Sequence, residues 1–296
     1  MFCTNCGKEI EDQATFCVYC GTKMNDVAGG KGKGKMNKAV IAAVAAVIVV
    51  VAVFFVVKGL FGSGSSGLSE DDFVVGGQVT FGHYEQDNNY GNGKEPIVWD
   101  VLTVNEPGYM LVSHHILDCQ PYDYGDTVGS FLDTHICQWL NTEFVSEAFS
   151  AEELACIQPM KPFGESEERT VQMLSMDQLS RLYSRNPDIS YGTWPNTGET
   201  YYMSDVFVCG GTDYAIAQGL PRFSKREMGK EDAELPAEYD NRFARWFLIY
   251  NRDIPNPMYS IATQVHETGL AGSFGNSFST PSGVRPVIWI SKKAFQ

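Results

Sequence analysis

Four cysteines near the start of the chain have the spacing of a metal site. Cys3, Cys6, Cys17 and Cys20 read as C-x2-C, ten intervening residues, then a second C-x2-C. Four thiolates at this spacing can close a tetrahedral zinc site. Gly7 and Gly21 directly follow the second cysteine of each pair. Glycine permits the left-handed backbone that such a tight turn often needs. The segment is too small for a core of its own, so bound metal must supply much of its stability. A redox C-x-x-C of the thioredoxin type needs a surrounding βαβ unit, and the segment is too short for one. One structural zinc ion is therefore expected, held by Cys3, Cys6, Cys17 and Cys20.

Residues 1–24, with their opening Met-x-Cys-x-x-Cys-Gly, resemble the short zinc-ribbon modules at the N-termini of many bacterial membrane proteins. The resemblance implies zinc and says little about partners. Lys8 and Lys23 are offset by Glu9, Glu11 and Asp12. A structural role or a protein partner is thus expected for this head, and nucleic acid is disfavoured.

The remaining reactive residue types form no comparable signature. Cys119, Cys137, Cys156 and Cys209 are irregularly spaced, with no C-x-x-C among them. They are expected to be buried packing residues, since free cysteine often behaves as a small hydrophobe. Three disulfide pairings remain open for them. His114 and His115 are adjacent, so on a strand they point to opposite faces and do not chelate together. Asp118, Asp123, Asp126 and Asp133 are dense enough to suggest calcium but lack the spacing of an EF-hand loop. A solvated acidic loop is their default reading. Ser113-His114 belongs to no G-x-S-x-G element, and no zinc-hydrolase motif occurs. No enzyme activity is therefore expected. Tyr122, Tyr124, Tyr191, Trp194, Tyr201 and Tyr202 fall in apparent loops, where exposed rings could stack on a glycan or a peptide.

The elements that position these groups begin with residues 39–57. This stretch, AVIAAVAAVIVVVAVFFVV, holds no charge, no polar side chain, no Gly and no Pro. A helix of that length spans about 28 Å, near the roughly 30 Å hydrocarbon thickness of a bilayer. A transmembrane helix is the expectation. Lys31, Lys33, Lys35 and Lys38 precede it, whereas Lys58 follows before Glu70, Asp71 and Asp72. Excess Lys marks the cytoplasmic side, which gives a single-pass cell-membrane protein with its N-terminus inside. That topology puts the head in a reducing compartment and argues against disulfides there. Residues 25–38 are Gly/Lys-rich and residues 58–72 contain GSGSSG, so both read as flexible tethers.

The net charge of −14 is unevenly divided: residues 68–296 carry 15 Lys and Arg against 32 Asp and Glu, a net −17. So acidic a domain does not attract nucleic acid by general electrostatics. Within residues 73–296, strands are expected at 78–84, 96–104, 109–114, 246–250 and 287–290. Helices are expected at 134–144 and 212–218 and after Ser150 and Ser175. At Ser150 with Glu153, and again at Ser175 with Gln178, a capping box marks the helix start. Residues 185–200 and 225–240 read as surface insertions because of their Pro, Gly and charge density. Strands, then helices, then strands argue an α+β fold with a mainly antiparallel sheet.

One series of residues carries a further likeness. It runs Ile97-Val98-Trp99-Asp100-Val101-Leu102, Leu111-Val112-Ser113, Trp139-Leu140-Asn141-x-x-Phe144, Ala148-Phe149-Ser150-x-x-Glu153-x-x-x-Ile157 and Gly283-Val284-Arg285-Pro286. The series is similar to an uncharacterised bacterial extracytoplasmic domain family. That likeness implies a fold related to formylglycine-generating enzymes and, more distantly, to C-type lectins. Those oxidases need a cysteine pair for copper near the C-terminus, and no cysteine follows Cys209. The expected function is accordingly recognition: a membrane-anchored protein with an inner zinc ribbon and an outer sensory binding domain for a glycan or peptide. Its expected partners are the lipid bilayer, that envelope ligand and a cytoplasmic protein. A surface-anchored enzyme is the first alternative, and a membrane-tethered nucleic-acid regulator the second.

Overall fold

A computed structural model describes residues 69–105, 108–125, 129–183, 189–193, 195, 200–249 and 261–295. Cys3, Cys6, Cys17, Cys20, both tethers and the apolar stretch 39–57 lie outside the described residues.

Alternating apolar residues build the first sheet. It contains β1 (Gln78–Tyr84), β2 (Glu95–Val104), β3 (Gly108–Ser113) and β13 (Val287–Ser291), in the order β1-β2-β3-β13, all antiparallel. Side chains alternate across a strand with period two. On β3, Tyr109 and Leu111 enter one hydrophobic cluster while Met110 and Val112 enter another. On β13, Ile288 and Ile290 join the first cluster, and Val287 and Trp289 the second. The sheet is thus buried on both faces here and separates two cores. Trp99 and Trp246 are the largest fully buried side chains, one in each core. Each indole N–H is satisfied, donating to the carbonyls of Phe81 (2.7 Å) and Phe207 (3.2 Å) respectively.

The second sheet joins β4 (Asp118–Gln120), β5 (Ser190–Thr193), β6 (Thr200–Met203), β9 (Trp246–Phe247), β10 (Ile261–Val265), β11 (Leu270–Ser277) and β12 (Ser282–Val284). Their order is β4-β12-β9-β10-β11-β6-β5, with β12 and β9 paired in parallel at Gly283 and Trp246. A short ribbon pairs β7 (Cys209–Gly210) with β8 (Phe243–Ala244).

Helices are few and short. Thr134 caps α1 (His135–Trp139), its hydroxyl accepting from the Cys137 N–H. The chain continues through a π-helical turn, Leu140–Phe144, into α2 (Val145–Ala148). The expected capping box is present at α3 (Ala151–Cys156): Ser150 and Glu153 bond reciprocally. The other Glu153 oxygen accepts from Gly82 at 3.2 Å. Gly82 has φ +70° at an irregularity of β1, and a Cβ there would sit 2.6 Å from the Phe149 ring. Glycine is required at that bulge for both reasons. Ser175 and Gln178 form the second reciprocal pair, at the start of α4 (Met176–Tyr183). Thr212 caps α5 (Asp213–Ala217) through the Ala215 N–H.

Three expectations are corrected. The α+β reading overstates the helices, because the described fold is mostly sheet with few helices. The apolar positions near helical spacing belong to short segments that each bury one face. Second, no helix among the described residues is long and apolar enough to cross a membrane. The single-pass membrane reading thus finds no support in the described fold, and the helix expected at 39–57 lies outside the described residues. The single-pass cell-membrane location and its inside–outside orientation are likewise not supported. Third, the presumed insertion 185–200 contributes β5 and the start of β6, and of the described residues 246–249 only Trp246 and Phe247 are in a strand.

Candidate functional site: a cleft over Asp100, His114 and Arg285

Several distant parts of the chain line one cleft. Asp100 lies on β2, His114 and His115 just beyond β3, and Arg285 between β12 and β13. The 3-10 turn Ala237–Tyr239 forms part of the wall. The cleft measures about 770 Å³. Arg285 is 5 % exposed and stacks on Trp246, its guanidinium carbon 4.7 Å from the ring centroid. Its Nε donates to the Ser113 carbonyl at 3.0 Å, and one terminal nitrogen donates to the same oxygen at 2.8 Å. That nitrogen also lies 3.5 Å from the His114 carbonyl and from Asp100 Oδ2.

Asp100 Oδ1 is 2.8 Å from His114 Nδ1 and accepts from Gln78 Nε2 at 3.0 Å. Burial pushes the Asp100 carboxyl up, but the hydrogen bond from His114 and the Arg285 charge outweigh it. The group is held below the usual carboxylate range. On its other side His114 Nε2 lies 3.8 Å from Glu238. Tyr239 donates its hydroxyl proton to the His114 carbonyl at 3.0 Å, which leaves its oxygen to accept from His115 Nδ1 at 3.2 Å. Gly210 makes this approach feasible: a Cβ there would meet the Tyr239 ring at 2.1 Å. Burial, assisted by the charges of His114 and Arg285, brings the His115 pKa down to about 4.

The expected residues are only partly brought together. His114 and His115 lie in a bend beyond β3 rather than on a strand, and their rings meet edge to face with centroids 4.7 Å apart, so the expected opposite faces are corrected. His114 lines this cleft and His115 a neighbouring one of about 200 Å³. The aspartates proposed for calcium are dispersed in role. Asp118 is buried and accepts from Tyr84 Oη at 2.5 Å, from the Cys119 N–H and from Gln120. Asp123 closes local turns through the His135 and Gly125 N–H groups. Asp126 lies outside the described residues. A carboxylate group that could hold a metal occurs instead at Glu85, Asp87 and Glu95. Those carboxylates already accept backbone N–H groups of their own loop, at Gln86 and Asn89.

Cys119, Cys137, Cys156 and Cys209 are free thiols, and all but Cys156 are buried. Burial raises the Cys119 pKa to about 12 and that of Cys137 to about 11, so neither is a ready nucleophile. Of the aromatics, Tyr122 is fully buried, whereas Tyr124 and Tyr191 are 70 % and 78 % exposed. Trp194 lies outside the described residues. The sequence reading missed the Asp100–His114–Arg285 network. Its signal was present in the Trp99-Asp100 and Arg285-Pro286 motifs, which had suggested only core and turn roles.

Comparison with known proteins gives one positive finding. Residues 2–24 match the model of a zinc-ribbon domain. No curated protein and no solved structure matches the chain. The expected kinship with formylglycine-generating enzymes and C-type lectins is therefore without support. The zinc-ribbon match implies structural zinc, and the four-thiolate donor set fits it, since zinc favours closed tetrahedral sulfur sites. Cys6→Ser should take the full chain from one bound zinc to none, read by metal analysis after dialysis against a weak chelator. Full zinc occupancy in the variant would exclude Cys6 as a ligand.

Proposed function

We propose that the domain of residues 69–295 is a recognition module rather than an enzyme, and that it holds a small polar ligand over Asp100, His114 and Arg285. The zinc ribbon at residues 2–24 is then a structural or protein-docking head. The observation that carries the reading is the cleft of about 770 Å³ with its converging network. Small-molecule sites typically occupy about 300–1,000 Å³, with a few fixed polar groups that orient the ligand. The network is fixed before any ligand arrives, because Arg285, Tyr239 and Gln78 each brace it. Preorganisation of this kind lowers the ordering cost of binding.

The Asp100–His114 pair favours a second reading, in which His114 acts as a general base. A carboxylate on one ring nitrogen orients such a base. Against it stands the other nitrogen, which faces Glu238, and the only cleft thiol among the described residues, Cys209, is buried.

The test is a fragment screen by ligand-observed NMR on the full chain. Val206 lines the cleft and is 38 % exposed, so Val206→Trp should fill the space without disturbing the core. Fragments that bind the wild type should lose at least tenfold in affinity with this variant. A screen in which no fragment distinguishes the two proteins would overturn the cleft as a binding site.

A further inference from the structure

We infer that the ligand of this cleft is a cation, an ammonium or guanidinium compound with a short apolar body; the inference rests on the recognition reading above. Both described cations of the cleft are already committed. Arg285 spends its fork on the Ser113 and His114 carbonyls and on Asp100, and it is almost wholly buried. Lys230 is paired with Asp205. An anion entering the cleft would therefore have to displace one of these pairs. It would also meet Glu234 on the cleft wall and Glu238 beside His114, both exposed carboxylates.

The charge balance points the same way. Among the lining residues, Asp100, Asp205 and Glu234 stand against Lys230 and Arg285, an excess of one negative charge, and Glu238 of the neighbouring cleft adds its carboxylate 3.8 Å from His114. The long-range field adds to this, since the domain as a whole carries an excess of acid. The apolar part of the ligand has a surface to lie on. Met203 and Val206 are 44 % and 38 % exposed, and they line the cleft together with Leu235. A compact cation with several methylenes would cover these side chains while its charged end faces Glu234 and Glu238.

The experiment is calorimetric titration of the full chain with four probes of similar length. Agmatine and spermidine are the cations, 1,5-pentanediol the neutral probe and glutarate the anion. The cations should bind, and Glu234→Gln and Glu238→Gln should each weaken them by about two- to fivefold, the usual effect of one exposed charge partner. Raising salt from 0.05 to about 0.5 M should weaken them further, because exposed charges are screened. Binding of pentanediol or glutarate as tight as that of the cations, and sensitive to Val206→Trp, would overturn the cationic assignment while leaving the cleft as a binding site. Cation binding that is indifferent to both glutamine variants would overturn it equally. If none of the four probes binds, the cationic assignment fails, while the cleft itself is judged by the fragment screen.

Discussion

Arg285→Met should lower the stability of the domain by about 3–5 kcal/mol, the usual cost of removing one partner from a buried, hydrogen-bonded charge network. The guanidinium touches four groups at once: the Ser113 carbonyl, the His114 carbonyl, Asp100 and the face of Trp246. Methionine keeps a long apolar stem but ends near the position of Nε, so part of the loss would come from the space the terminal nitrogens leave. What remains is an Asp100 carboxylate without its cation and a Ser113 carbonyl without its main side-chain donor. Arg285→Lys should recover only part of the loss. An ammonium cannot reproduce a planar fork in which Nε and a terminal nitrogen reach one oxygen together. Urea denaturation measures both variants. A change below about 0.5 kcal/mol for Arg285→Met would show that the network is not a structural keystone.

Acid should destabilise the domain through His115, by up to about 3 kcal/mol between pH 6.5 and pH 4. The sign follows from where the proton sits. In the unfolded chain His115 has the usual histidine pKa of about 6.5, whereas in the fold burial brings it down to about 4. Between those values the unfolded chain binds a proton that the folded chain releases. Stability is therefore complete above pH 6.5 and declines as pH falls toward 4. Asp100 adds to the decline at lower pH, because its carboxyl is held below the usual range by His114 and Arg285 against the effect of burial. Asp118 acts oppositely: burial raises its carboxyl, so the folded state gains relative stability as that group takes up a proton. His115→Gln isolates the histidine contribution. The wild type should lose more stability than the variant between pH 7 and pH 4.5. Parallel pH profiles for the two proteins would refute the assignment.

Local chemistry was legible in the sequence where it depends on near neighbours. Both capping boxes, at Ser150 with Glu153 and at Ser175 with Gln178, sit where the S-x-x-E/Q pattern puts them, because that contact closes within one helical turn. β1 and β2 were also legible because their burial alternates with period two, and β3 and β13 as short apolar and β-branched runs. Other features depend on distant partners. The π-helical turn at Leu140–Phe144 is tied to Asn141, which bonds the Cys137 carbonyl on one side and Thr170 and Val171 on the other. Asp118 looked like a loop ligand because nothing in its neighbourhood announced Tyr84, 34 residues earlier, as its partner. The cleft was hidden for the same reason. Asp100 and Arg285 are 185 positions apart, and only the meeting of β2, β3 and β13 joins them.

The placement of β13 also governs how the domain is made. This strand begins 174 residues after β3 ends, yet it pairs along its whole length with β3 and bridges to Ile157 and Gln172 on its other side. Neither core can close until the chain has been made through residue 291, because β13 forms part of the wall between them. Until then β3 would expose an unpaired edge with apolar side chains on both faces, a surface prone to aggregation. Such long-range closure is intrinsically slow. The nascent domain should consequently depend on chaperone protection for most of its synthesis, and removal of residues 287–295 should trap it in that incomplete state.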